Sequence, residues 1–336
     1  MAPGRGRVVA EAMVTIAGGT TMSIKILDGG TMTRAVIVDT DIGTDIDDTW
    51  ALAMLLGSPE LDLKLITCVS GDVRYRASLC ARLLTIADRR DVPIGLGIGG
   101  ALKLPTVLSG APQSGFVGKD DLDVYPNVRA DGVNAMIQTI MGADNPVTVI
   151  AIGPLTNVAE ALRRCPQIVA RASFIGMHGS VRVGYRGSAT PAAEYNVFAD
   201  IAAAQTVLSA DWEMTITPLD SCGSVVLGGD DYRRFYDFAV AHPGSMADAV
   251  LANYRLWLDA VGAPADRQAQ RSTTLYDTVA VYLALEDSAL QMETLPIVVG
   301  DDGFTRIDPN GVLMRVATGW RDASAFEALL VERVCG

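Results

Sequence analysis

From Ala35 onward, short β-branched runs alternate with stretches of helical periodicity, and this alternation leaves few folds open to the chain. Ala35-Val36-Ile37-Val38 reads as a buried strand. Asp47 to Gly57 then carries Trp50, Leu52, Ala53, Leu55 and Leu56 at helical spacing and ends on glycine. The same rhythm gives strands over Leu63–Val69, Val92–Leu96, Val147–Ile152 and Ala172–Ile175, with helices over Tyr75–Asp88, Val133–Met141 and Leu155–Arg164. Strands separated by helices form parallel pairs, so the expected class is α/β: an open, mostly parallel, Rossmann-like sheet with helices on both faces. Further helices are expected over Ile201–Leu208, Asp230–Ala241, Ser245–Val261 and Leu275–Leu285, and late strands over Leu295–Val299 and Val312–Val316. No repeat or linker divides the chain, so residues 34–336 are read as one domain. Residues 1–33, where an apolar patch from Val8 to Ile16 is broken by Glu11 and followed by Gly18-Gly19, are expected to be a flexible extension. That patch lacks the clean hydrophobic region of a secretion signal, and Met22 and Met32, just before the first convincing strand, are candidate translation starts.

Composition narrows the function. A formal charge of −12 opposes binding to a polyanion, which excludes nucleic acid as a partner. No apolar run reaches the ~18 residues of a membrane span. Five scattered cysteines without a CxxC pair suit reduced thiols in a cytoplasmic protein. With only His178 and His242, a histidine-rich zinc site has too few ligands. The Gly- and Pro-rich stretch from Gly97 to Val128 is a long loop, of a length that usually carries function.

In a parallel sheet ligands bind beyond the carboxyl ends of the strands. There the first strand runs into Asp39-Thr40-Asp41-Ile42-Gly43-Thr44-Asp45-Ile46-Asp47-Asp48. Five carboxylates in ten residues repel one another unless they reach solvent or share a cation. Helix capping accounts for one or two of them; a hard-cation site accounts for more. Asp39-x-Asp41-x-x-Thr44 after an apolar strand also fits a phosphotransferase of the haloacid-dehalogenase type, although that leaves Asp47-Asp48 unexplained.

The acidic run resembles the N-terminal Asp-x-Asp-x-Gly-x-Asp-Asp signature of the nucleoside hydrolases, with two residues inserted before Asp47-Asp48. Three further stretches match in order: Gly153-Pro154-Leu155-Thr156-Asn157, Pro191-Ala192-Ala193-Glu194-Tyr195-Asn196, and Tyr276-Asp277, where the family usually has His-Asp. The resemblance implies a calcium-dependent hydrolase that cleaves the N-glycosidic bond of ribonucleosides to free base and ribose. It assigns Asp41, Asp48, Asp277 and the carbonyl of Ile152 to Ca²⁺, and makes Asp41 the general base toward a water held there. Asp47, Glu194 and Asn196 would bind the sugar. A homodimer or homotetramer is expected from the family alone.

Several positions depart from the family pattern. Tyr276 replaces the histidine assigned to the leaving base; a phenol is a poor acid at neutral pH but stacks well on a base, which leans the reading toward purine nucleosides. Gly71-Asp72 stands where the family has Gly-Asn, so Asp72 is a candidate ribose ligand, and Ser188 replaces another asparagine. Phe116 in the long loop is a candidate base contact. Arg74 and Arg76 could neutralise Asp72 or recognise an anionic substrate group. His178 is an alternative proton donor or a structural histidine. A non-catalytic ribose-binding protein of the same fold is the second reading.

Overall fold

The computed structural model describes residues 8–15, 21–27, 33–100, 111–118, 120–264 and 266–336. Strands β1 (Val8–Thr15) and β2 (Thr21–Leu27) pair antiparallel with each other as a separate two-stranded sheet. They fall within the stretch expected to be a flexible extension; the rest of residues 1–32 lies outside the described residues, as do residues 101–110 of the long loop.

After these come β3 (Arg34–Thr40), α1 (Asp47–Leu56), β4 (Leu61–Cys68), α2 (Val73–Ile86), β5 (Ile94–Leu96) and β6 (Val128–Arg129). The chain continues through α3 (Gly132–Gly142), β7 (Val147–Ala151), α4 (Thr156–Arg164), β8 (Ala172–Met177), α5 (Tyr195–Ala199), α6 (Ile201–Leu208), β9 (Met214–Thr217) and α7 (Leu219–Cys222). The last part comprises α8 (Gly229–Ala241), α9 (Met246–Ala260), α10 (Thr278–Leu285), β10 (Leu290–Val299), β11 (Thr305–Ile307), β12 (Val312–Trp320) and α11 (Ala323–Cys335).

Ten strands form one sheet in the order β11-β10-β12-β9-β8-β7-β3-β4-β5-β6, parallel throughout except that β10 runs antiparallel to both its neighbours. β3 shows why its sequence is apolar without alternation. Val36 and Val38 enter one core with Trp50, Met54, Tyr254 and Phe326, while Ile37 enters the other with Met136, Val158 and Phe174. Both faces of the strand are covered, so both parities must be apolar.

The chain leaves β3 toward β4, β5 and β6, then returns to β3's other side with β7, β8 and β9. Strand order therefore reverses between β3 and β7, and their carboxyl ends flank a crevice. Several bounds differ from the sequence reading by a few residues. β9 was not read at all, since Met-Thr-Ile-Thr is too short to show a period, yet Thr215 and Thr217 are buried in the sheet. α10 begins at Thr278 rather than Leu275, which puts Asp277 at the N-cap with no hydrogen bond from its side chain to the helix.

Candidate active site

A cavity of about 210 Å³ sits at this crevice, bounded by Asp41 beyond β3, Ile152 beyond β7 and Met177 at the end of β8. The acidic run does not enter it as a block. Asp39, fully buried, points into the sheet, where its Oδ1 accepts from Thr67 Oγ1 and from Asn157 Nδ2 at 2.7 Å. Burial pushes its carboxyl up to about 7. Asp39 thus locks β3 to β4 and α4, and Asn157 of the Gly-Pro-Leu-Thr-Asn motif is the partner that holds it.

Asp41, Thr44, Asp45, Asp47 and Asp48 do line the cavity. Asp47 and Asp48 open α1 and are 5% and 3% exposed, and Asp277 at the head of α10 is 3% exposed. One carboxylate oxygen from each of these three lies within 4.8 Å of the others. Burial first, and repulsion by neighbouring carboxylates second (Asp45 on Asp47, Asp41 on Asp48, Asp47 on Asp277), pushes all three carboxyls well above their ordinary range. Thr40 Oγ1 donates to Asp48 Oδ1 at 2.5 Å and holds that side chain in place. Asp41 is also raised by burial, against the opposing charge of Arg76. Gly153 is the reason Asp41 fits, because a Cβ there would lie 2.9 Å from the Asp41 amide nitrogen and from its Oδ1.

Glu194, 1% exposed, caps α5: Oε1 accepts from the Asn196 amide and Oε2 from those of Gly179 and Val197. These bonds partly offset burial, which still raises it to about 7. Asn196 donates through Nδ2 to the carbonyls of Ile152 (3.3 Å) and Met177 (3.1 Å), tying the ends of β7 and β8 together. Tyr276 borders the cavity and meets Tyr185 edge to face, ring centres 6.3 Å apart. Burial raises both phenols, so neither is an acid near neutrality.

Other sequence candidates lie elsewhere. Asp72 is exposed and caps α2, accepting from the amides of Arg74 and Tyr75, and does not line the cavity. Phe116 packs half-buried against the apolar core, also away from the cavity. His178 is buried behind the cavity, paired through Nε2 with the Gly153 carbonyl at 3.0 Å and pushed down to about 4 by desolvation, which keeps it neutral. Arg74 is exposed and pairs with Asp123. Arg76 is buried under the acidic loop, with its hydrogen bonds spent on that loop and Ser70; both readings offered for it, neutralising Asp72 and binding a substrate anion, are corrected. Sequence reasoning gave no cavity role to Tyr185, Tyr195 or Met177 and named Thr44 and Asp45 only as part of the acidic run; the only trace of Tyr185 was an aromatic between Gly184 and Gly187 just upstream of the Pro-x-Ala-Glu motif.

Comparisons with known proteins give the family. Residues 36–326 match the family described as inosine-uridine preferring nucleoside hydrolase. The non-specific ribonucleoside hydrolase RihC of Escherichia coli is 33% identical over 234 residues, 67% of this chain and 73% of that protein. The pyrimidine-specific ribonucleoside hydrolase RihA of Escherichia fergusonii is 30% identical over 67% of this chain and 72% of its own. The structure of a purine-preferring ribonucleoside hydrolase from Gardnerella vaginalis superposes with a TM-score of 0.71 at 22% identity, covering 90% of this chain and 98% of that one. The phosphotransferase alternative falls with these matches. An acidic crevice at the strand-order reversal, built from the motifs of one family in their order, and a family match spanning nearly the whole domain lead to one assignment: the chain belongs to the inosine-uridine preferring nucleoside hydrolase family and is an N-glycosyl hydrolase of ribonucleosides.

Proposed function

We propose that this hydrolase uses a hard divalent cation, calcium, at the cavity floor and prefers purine ribonucleosides. The observation that carries the metal is the convergence of buried Asp47, Asp48 and Asp277 within 4.8 Å, from opposite ends of the domain. Three carboxylates that close and that dry need protons or a cation. The donors are all oxygens, with no cysteine or histidine on the cavity wall among the described residues, which suits calcium and not a soft metal. Asp48 and Asp277 would hold the ion, with Asp47 beside them and Asp41 and the Ile152 carbonyl on the same wall. A bound cation of this kind acidifies water and orients a vicinal diol.

The chain's own groups supply the rest. Asp41 accepts the proton of the attacking water at a carboxylate oxygen, a role worth roughly 10²–10⁴ in rate. Asn196, both amide hydrogens committed to backbone carbonyls, offers Oδ1 to a sugar hydroxyl, and Glu194 fixes the turn that presents it. The surrounding carboxylates favour the positive charge that develops on the sugar ring as the glycosidic bond breaks. Tyr276 and Tyr185 offer ring surface rather than a proton to the base, and a bicyclic base covers more of that surface.

The test is ribose release from inosine, adenosine, guanosine, uridine and cytidine by the metal-stripped chain, with and without added Ca²⁺. The expected outcome is calcium-dependent release, faster on the purines, lost on chelation and reduced by roughly 10²-fold or more in Asp41→Asn. Release unaffected by chelator would remove the metal from the mechanism, and uridine turned over faster than inosine would remove the purine preference.

A further inference from the structure

The family signature describes the carboxylates but not what shapes the loop that carries them. That loop, between β3 and α1, has no regular hydrogen-bond ladder and turns at Gly43 with φ +105°. Beneath it lies Arg76 on α2, 2% exposed. Its Nη1 donates to the carbonyls of Asp41 and, at 2.8 Å, Ile42, and Nη2 donates to Thr44 Oγ1 at 3.0 Å. Nε donates at 2.7 Å to the carbonyl of Ser70, in the turn beyond β4 that holds a left-handed φ of +67°. One rigid fork thus spans two strand ends. Tyr75 adds a bond from its hydroxyl to the Gly43 carbonyl at 3.1 Å.

We infer that Arg76 is a positioning residue for the cation site: its guanidinium fixes the backbone from Asp41 to Thr44, so that the carboxylates of Asp41 and Asp48 meet a divalent ion in one arrangement. The inference rests on the metal reading above and adds a residue to it. Charge alone acts both ways: a fixed positive charge behind a cation site repels the incoming ion, yet it also favours the ionised carboxylates of Asp41 and Asp48. Bidentate and forked bonding to carbonyls is what a guanidinium provides and an ammonium does not. The lysine variant, which keeps the charge and loses the fork, therefore separates the two roles.

The experiment titrates the metal-stripped full chain with Ca²⁺ by calorimetry, for wild type, Arg76→Lys, Arg76→Gln and Arg76→Met. The lysine keeps the charge without the fork, the glutamine keeps a donor without the charge, and the methionine keeps neither. Each variant is first checked for native circular dichroism and a cooperative melt. Weakening of calcium binding by about ten-fold or more in every folded variant, neutral ones included, is the expected result. Binding equal to or tighter than wild type in Arg76→Gln or Arg76→Met overturns the inference, as does a lysine variant that binds like wild type. If no variant folds, Arg76 belongs to the fold rather than to the site, which also overturns it. Wild type that binds no calcium refutes the metal reading itself, a distinct result.

Discussion

At the scale of single residues, the site depends on how closely Asp41 approaches the turn after β7. Gly153 is not in a left-handed conformation; what it supplies is room. An alanine methyl would come within 2.9 Å of the Asp41 amide nitrogen and Oδ1 and 3.0 Å from Val69 Cγ1. The backbone nitrogen cannot yield, so the carboxylate moves. Displacing a reacting group by even an ångström costs about 10²-fold in rate, whereas a methyl of overpacking costs about 1–3 kcal/mol in stability. Gly153→Ala is therefore expected to fold, to melt a few degrees lower, and to lose about 10²-fold in kcat, as steady-state assay and thermal melting would show. A variant with unchanged kcat would mean that Asp41 tolerates displacement and is not the base.

The elements carry a different lesson, visible in α2. Asp72 was read as a ribose ligand because it stands in the place of a family asparagine, but its carboxylate caps the helix and faces solvent. Removing an N-cap costs about 1 kcal/mol. Asp72→Ala should lose about that much in denaturant unfolding with kcat and KM within two-fold of wild type; a large rise in KM would return Asp72 to the sugar. Sequence periodicity made most of the sheet and its helices legible, from β3 and α1 through α6, α8, α9 and α10 to β12. Short β6, β9 and β11 escaped because two to four residues hold no period, and α11, Ala323–Cys335, was not read either. The carboxylates of the site were legible because Asp41, Asp48 and Asp277 sit in ordered motifs. Arg76 was not, because its acceptors are mainly backbone carbonyls about 35 positions upstream and at Ser70, and a carbonyl leaves no mark on sequence. Phe116 and Tyr185 show the same limit at the base end, where loops alone decide which aromatic reaches the cavity.

For the whole molecule, gathering buried acids into one crevice makes stability depend on pH and on metal together. Asp39 and Glu194 are raised to about 7 and Asp45 to about 6, in each case chiefly by burial. A carboxyl whose folded value lies above its unfolded value of about 4 binds more protons in the folded chain. Its contribution to stability is full below pH ~4 and falls as pH rises from there through the folded value. The metal-free chain should thus melt lower at pH 7.5 than at pH 5.5, the reverse of a protein whose acids are salt-bridged. On the proposed metal reading, calcium would act in the opposite sense, binding the deprotonated carboxylates of Asp48 and Asp277 in competition with their protons. At a hundred-fold excess over its dissociation constant a ligand adds about 2.7 kcal/mol, roughly 4 °C for a domain of this size. Melting curves across this pH range should then separate with and without Ca²⁺ at the alkaline end and converge at the acidic end. Parallel curves, or a metal-free chain that gains stability with rising pH, would mean that the carboxylates stay ionised and compensated without a cation, leaving calcium no site to complete.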